Sequence, residues 1–162
     1  LDYSKARISA FNELSLKYAL ESSSISYTDF NPDIAAEETC SMTVSKVSPS
    51  AFIYENEIMA AASLRALEQL SMSEHAPERL RASSRRPFPT NVPAIVSFED
   101  SFICTATYPT ITAAHRDPAE YGKKVANLLI KSLSGEPVAG NRSILAPRLI
   151  IRESTRNSLF AG

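Results

Sequence analysis

At 162 residues, 44% hydrophobic and 22% charged, the chain has the size and composition of one globular domain and excludes a disordered tail. A net charge of −1 supplies no basic field for wrapping nucleic acid. The four glycines are Gly122, Gly135, Gly140 and Gly162, so residues 1–121 hold no Gly-rich phosphate loop.

The first helix is predicted to begin at a Ser4 cap and to bury Ile8, Phe11, Leu14 and Tyr18, which recur every three or four residues. Glu21-Ser-Ser-Ser24 breaks it, and Ile25-Ser-Tyr27 is a short strand candidate. Pro32 opens a second helical stretch over Asp33 to Lys46, with Ile34, Ala35, Met42 and Val47 facing inward, and Ser48-Pro49 ends it. Ala51–Tyr54 is a compact apolar strand. Asn56 then caps a helix through Leu70 whose stripe is Met59, Ala62, Ala66, Leu67 and Leu70.

Ser71 to Pro93 reads as a long basic loop carrying His75, Arg79, Arg81, Arg85 and Arg86 among prolines. Ala94–Phe98 is the next strand, Tyr108-Pro109 a turn, and Ile111–Ala114 a further strand. Asp117-Pro118 starts a helix with Tyr121, Val125, Leu128, Leu129 and Leu133 on one face, ended by Ser134-Gly135. Ile144-Leu145 and Leu149–Ile151 close the chain as strands. Strands alternating with helices at this spacing imply an α/β fold, a mostly parallel sheet flanked by helices.

In such a sheet, ligands gather beyond the carboxyl ends of the strands. Asp29-Phe30, Glu55-Asn56-Glu57, Glu99-Asp100 and His115-Arg116-Asp117 follow the first four strand candidates, and Arg7 in the first helix can reach the same rim. An aromatic, an arginine, an amide and carboxylates suit a polyhydroxylated ligand: the ring stacks on C–H surfaces while the polar groups exchange hydrogen bonds with hydroxyls. The same residues also suit a purely structural role as helix caps. Glu99 and Asp100 are sequence neighbours, so their side chains diverge rather than pair for acid–base work. His115 near a carboxylate is the one enzyme-like feature, without a nucleophile beside it. Cys40 and Cys104 are widely spaced and read as reduced thiols; no His/Cys cluster implies a metal, and no cofactor is implied. No apolar run is long enough to span a membrane. Leu1-Asp2-Tyr3 lacks an initiator Met and a signal region and reads as a cut inside a longer chain.

Seven stretches, in order, resemble the LacI/GalR-type transcriptional regulators. Ala51-Phe-Ile-Tyr-Glu-Asn-Glu-Ile-Met-Ala-Ala-Ala-Ser-Leu-Arg-Ala-Leu67 is similar to that family's strand, Asn-Asp, x-Met-Ala and Arg-Ala-Leu signature. Ala94-Ile-Val-Ser-Phe-Glu-Asp100 resembles S-V-V-G-F-D-D, and Pro109-Thr-Ile-Thr112 resembles P-x-L-T-T. Tyr121-Gly122, Leu128-Leu129 and Gly135-Glu136-Pro137 resemble M-G … L-L … G-E-P, and Leu149–Thr155 resembles the terminal L-V-x-R-x-S-T.

The resemblance implies one lobe of a type I periplasmic-binding-protein-like sensor. Residues 1–114 would form the second lobe, with the basic loop at 71–93. Residues 115–147 would be a returning segment that packs on a first lobe, and 148–162 the closing strand and tail. It further implies a cytoplasmic, homodimeric, non-enzymatic repressor that senses a sugar or sugar derivative and meets operator DNA through a helix-turn-helix headpiece outside this chain. The alternative with the same fold is an exported sugar-binding protein serving a transporter. The site residues implied are Arg7, which would grip effector hydroxyls or carboxylates, the ring-stacking Phe30, the amide Asn56, and Glu99. Glu99 stands where the family has Asp, Ser97 where it has Gly, and Pro118 where an aromatic often closes the pocket. The helix at Asp117–Ser134 is expected to expose its apolar face or to be covered by another chain.

Overall fold

The structure, a computed structural model, describes residues 2–74, 76–81, 92–136 and 146–155. In chain order its elements are α1 (Asp2–Lys17), α2 (Pro32–Val44), β1 (Ala51–Tyr54), α3 (Glu57–Met72), a 3-10 turn (Glu78–Leu80), β2 (Ala94–Ser97), α4 (Phe102–Ala106), β3 (Thr112–His115), α5 (Pro118–Leu133) and β4 (Arg148–Ile150). The strands form a sheet in the order β1-β2-β3-β4; the first three are parallel and β4 is antiparallel to β3. This is the α/β class, with a mostly parallel sheet, that the alternation of elements implied.

Register explains where the core lies. Phe52 opposes Ile95 and Tyr54 opposes Ser97, which in turn opposes Ala113. Because strand side chains alternate with a period of two, these residues share one face. There they pack with Met59, Ala60, Leu64 and Leu67 of α3, Ala35 of α2, and Cys104 and Ile111. Buried Leu67, Ile95 and Ile111 each contribute on the order of 2 kcal/mol of hydrophobic stabilisation.

The helices bury different residues from those hydrophobicity alone selects. In α2, Ala35, Thr39 and Thr43 face inward, while Ile34 is exposed and Met42 is half-buried; Val47, beyond the helix end, is exposed. Threonine can occupy this face because its hydroxyl bonds back along the helix: Thr39 Oγ1 donates to Ala35 O at 2.6 Å and Thr43 Oγ1 to Thr39 O at 2.7 Å. The α3 stripe is Met59, Ala60, Ser63, Leu64, Leu67 and Ser71. It is wider than expected because α3 packs on both the sheet and α2, and Ala62, Ala66 and Leu70 sit half-buried at its edge.

Ser4 lies inside α1 rather than capping it, and Arg7, Ile8 and Phe11 are half-buried while Leu14 and Tyr18 are exposed. The packed face of α1 therefore lies toward its N-terminal half, where Arg7 is held by ion pairs. Ile25–Tyr27 is not a strand. The start of the expected long loop is packed: α3 runs to Met72, Ala76 and Leu80 are buried, and Arg81 Nε donates to Ala76 O at 3.3 Å. His75, Arg85, Arg86 and Ile144-Leu145 lie outside the described residues, as does the side chain of Arg79. Helix α4 had no periodic signal and is one short turn capped by Ser101, whose Oγ accepts from Ile103 N at 3.2 Å.

Helix α5 starts as the sequence implied. Asp117 Oδ1 accepts from Ala119 N at 2.9 Å and Glu120 N at 3.1 Å, with Pro118 in the first turn. It buries none of its residues: Tyr121, Val125, Leu129, Ile130 and Leu133 are all exposed, Leu129 by 59%. A helix so amphipathic gains most of its stability from cover on its apolar face. Among the described residues, no helix is long and apolar enough to cross a membrane.

Candidate functional site

The carboxyl ends of β1 and β2 carry the rim. Beyond Tyr54 the chain turns at Glu55-Asn56, and Asn56 caps α3 by accepting from Met59 N at 2.9 Å. Beyond Ser97 it turns again, and the Ser97 hydroxyl shapes this turn, donating to Glu99 O at 2.7 Å and accepting from Glu99 N at 3.1 Å. Ser97 is fully buried in extended backbone, and the described non-glycine residues with positive φ are Ala19, Asp29 and Phe30. The serine that stands in a glycine position thus avoids the left-handed region. It also sends Glu99 and Asp100 to opposite neighbourhoods.

Glu99 meets Arg7. The Arg7 guanidinium, 14% exposed, pairs with Glu55 Oε2 through Nη1 and with Glu99 Oε1 at 3.3 Å through Nη2. Its Nη1 also donates to Glu55 O at 3.4 Å, and its Cζ lies 4.4 Å from the centre of the Phe98 ring. The planar cation is therefore held at its edge by two carboxylates and across its face by a ring. Glu99 Oε1 lies 3.9 Å from Arg116 Nη1 as well, so Glu99 links α1 to the chain after β3.

Asp100 turns inward, with a side chain 8% exposed. Its Oδ2 is 2.9 Å from His115 Nδ1 and accepts from Arg152 Nη2 at 3.0 Å. Arg152 Nη1 lies 2.9 Å from Oδ1, an ion pair without an aligned hydrogen bond, since Nη1 donates to Ile111 O at 2.6 Å. Burial pushes the Asp100 carboxyl up. The Arg152 hydrogen bond and charge, with His115 behind them, outweigh that and hold it below its ordinary value. The segment after β4 completes the clasp: Ser154 Oγ donates to Ile95 O at 2.6 Å, and Thr155 Oγ1 is 2.7 Å from Thr112 Oγ1. That is a physical account of the terminal Arg-x-Ser-Thr motif, which stitches the chain end onto β2 and β3.

Of the four residues expected at the site, Arg7 and Glu99 are in direct contact. Asn56 joins through its neighbour Glu55 and spends its acceptor on the α3 cap, so the structural role expected of it is real. Phe30 is 41% exposed and sits in a turn of left-handed backbone, with φ of 48° at Asp29 and 59° at Phe30. Thr28 ties that turn to α3 by donating to Met59 Sδ at 3.4 Å. Phe30 therefore follows a turn and not a strand as the sequence pattern suggested. The strand-end rule had put Glu55 and Arg116 on the rim without choosing them. Phe98 and Arg152 were missed, because one reads as a strand residue and the other lies far along the chain. Beside Arg116, a depression of about 120 Å³ is lined by His115, Tyr121 and Arg148 among others. Among the described residues, no three His, Cys, Asp or Glu side chains cluster as metal ligands.

Comparison with known proteins gives this rim a family. The periplasmic binding protein-like domain matches residues 1–155. The HTH-type transcriptional regulator CelR of Thermobifida fusca is 27% identical over 150 residues, covering 91% of this chain and 40% of CelR. A LacI family transcriptional regulator from Bifidobacterium animalis subsp. lactis superposes with a TM-score of 0.77 at 28% identity, over 95% of this chain and 51% of that one. A CelR–cellobiose complex shares the fold, with a TM-score of 0.62 at 22% identity over 91% and 41% of the two chains. The chain spans from two fifths to about half the length of these relatives. It belongs to the periplasmic binding protein-like domain family, in the form that LacI-type regulators carry as an effector-binding domain.

Proposed function

We propose that this chain is the effector-sensing lobe of a LacI-type transcriptional regulator, in which a small sugar-like molecule binds at Arg7, Phe30, Asn56 and Glu99. The observation that carries this reading is the meeting of Arg7 and Glu99, from α1 and the end of β2, at the rim where open α/β sheets bind ligands. Relatives named as regulators, one of them in complex with cellobiose, support it over a transporter-associated binding protein of the same fold. Residues 1–114 act as the second lobe, and 115–147 with α5 pack on a first lobe, which gives the exposed apolar face its cover. Closure of the lobes on the effector, in a homodimer in the cytoplasm, then changes the operator affinity of a helix-turn-helix headpiece. Coupling of this kind requires unequal effector affinity for the open and closed arrangements.

The reading is of binding without turnover. The His115–Asp100 pair has the geometry of a base and its orienting carboxylate, but Arg152 shares that carboxylate and makes the trio a strut between β2, β3 and the chain end. Calorimetry with a panel of mono- and disaccharides tests the proposal. Arg7→Ala and Glu99→Ala are each expected to weaken binding by about 1–3 kcal/mol while far-UV circular dichroism stays unchanged. Unaltered affinity in both variants would remove this rim from the site.

A further inference from the structure

Arg7 is already occupied. Its guanidinium is gripped by the side chain and backbone oxygen of Glu55, by Glu99, and by the Phe98 ring beneath it. The charged groups that meet here are Arg7 and Arg116 against Glu55 and Glu99, so the cluster is neutral before any ligand arrives. The Asp100–Arg152 pair nearby is likewise closed on itself. We infer that Glu55 is a specificity-determining residue that makes this rim select uncharged polyhydroxyl ligands and reject sugar acids and sugar phosphates. The inference rests on the effector-binding reading above and narrows its ligand class.

The physical basis is competition for one cation. A free arginine binds a carboxylate or phosphate through two parallel hydrogen bonds, and that recognition dominates wherever the arginine is available. At this rim Glu55 takes the edge of Arg7 that an anionic ligand would need. An incoming anion has to displace that carboxylate or lie beside two of them in a half-buried site where repulsion is poorly screened. A neutral sugar meets neither obstacle. Its hydroxyls donate to the outer oxygens of Glu55 and Glu99 and accept from Arg116 without breaking an ion pair.

The test compares matched ligands on the purified chain by calorimetry and thermal shift. The set is cellobiose and lactose, their aldonic acids cellobionate and lactobionate, and the amides of those acids, which share the opened ring but lack the charge. Wild type is expected to bind a neutral sugar or amide at least about tenfold more tightly than the matching acid. Glu55→Gln, which keeps an acceptor for Arg7 but not the charge, is expected to erase that preference, and Glu55→Ala to reverse it. A wild type that binds an acid as well as its amide overturns the role of Glu55 and leaves the effector-binding reading intact, as does a preference that survives in both variants. If no ligand in the set binds, and simple neutral hexoses and pentoses also fail, both readings fall. Where a Glu55 variant does not fold, a wild type that binds an acid as tightly as its amide still overturns the inference, and the other Glu55 variant carries the assignment to that residue.

Discussion

Tyr54→Phe offers the sharpest test of how the core is built, because its effect should change sign with pH. Tyr54 ends β1, is 7% exposed, and lies with its hydroxyl 2.7 Å from Thr39 Oγ1. Thr39 gives its own proton to Ala35 O, so the tyrosine hydroxyl is the donor of the pair. Burial, partly opposed by Ser63 and Thr39, pushes the Tyr54 phenol from 10.0 to about 12. At neutral pH the phenylalanine variant loses one buried hydrogen bond and should be less stable by about 1 kcal/mol. At high pH the balance reverses. A group whose folded pKa is raised contributes stability that is whole below the unfolded value and lost as pH rises through the folded one. Between pH 10.0 and about 12 the unfolded wild type therefore releases a proton that the folded state retains. A shift of two units corresponds to about 2–3 kcal/mol, most of it lost by the top of that window. The other tyrosines are common to both proteins and cancel in the comparison. Urea denaturation of the two proteins, followed by circular dichroism in steps from neutral pH to about pH 11.5, should show the curves crossing close to pH 11. A constant gap across that range would refute the claim that the phenol is buried in its neutral form.

Two further outcomes probe the rim and its support. Asp100→Asn leaves Arg152 without its counter-charge and should cost about 3 kcal/mol at neutral pH. Because the Asp100 pKa is lowered from 3.8, the stability it supplies is present above that value and lost as pH falls through the folded pKa, so the gap from wild type in acid denaturation should shrink toward zero below it. A gap that persists in strong acid would mean that shape, not charge, holds the strut. Phe30→Gly should relieve a left-handed backbone that costs a bulky residue about 1 kcal/mol, leaving stability equal or higher while sugar affinity drops by a similar amount. A loss of stability larger than that would make Phe30 a packing residue and not a ligand platform.

The sheet was legible because Ala51–Tyr54 and Ala94–Ser97 are apolar, bounded by turn residues, and joined by a helix with a sound cap. The termini of α3 and α5 were legible because Asn56 and Asp117 spend their side chains on backbone donors two or three residues away, an interaction local in sequence. What failed was burial. Thr39 and Thr43 face the core while Ile34 and Val47 face water, and periodicity weighted by hydrophobicity cannot see that a threonine has satisfied its own hydroxyl. The site divides in the same way. Glu99 could be placed by the rule for strand ends, and Arg7 by its position in the first helix. Arg152 and Phe98 could not, since their roles come from partners far along the chain that only the folded topology brings near.

The shortage of glycine also acquires a mechanism here. A turn after β2 built on glycine would leave the directions of the next two side chains to the backbone alone. Ser97 instead fixes them through its own hydroxyl, which bonds to both the N–H and the carbonyl of Glu99. Glu99 is then set toward Arg7 and Arg116, where solvent reaches it, and Asp100 toward Arg152 and His115, where its side chain is buried. Two adjacent acids thus acquire unlike surroundings, one at the exposed rim and one in a buried brace. The brace holds the turn from which the other reaches out, so the rigidity of the rim originates in the inner network. In the proposed site, this separation of rim from support would let Glu99 exchange partners with a ligand without loosening the sheet beneath it.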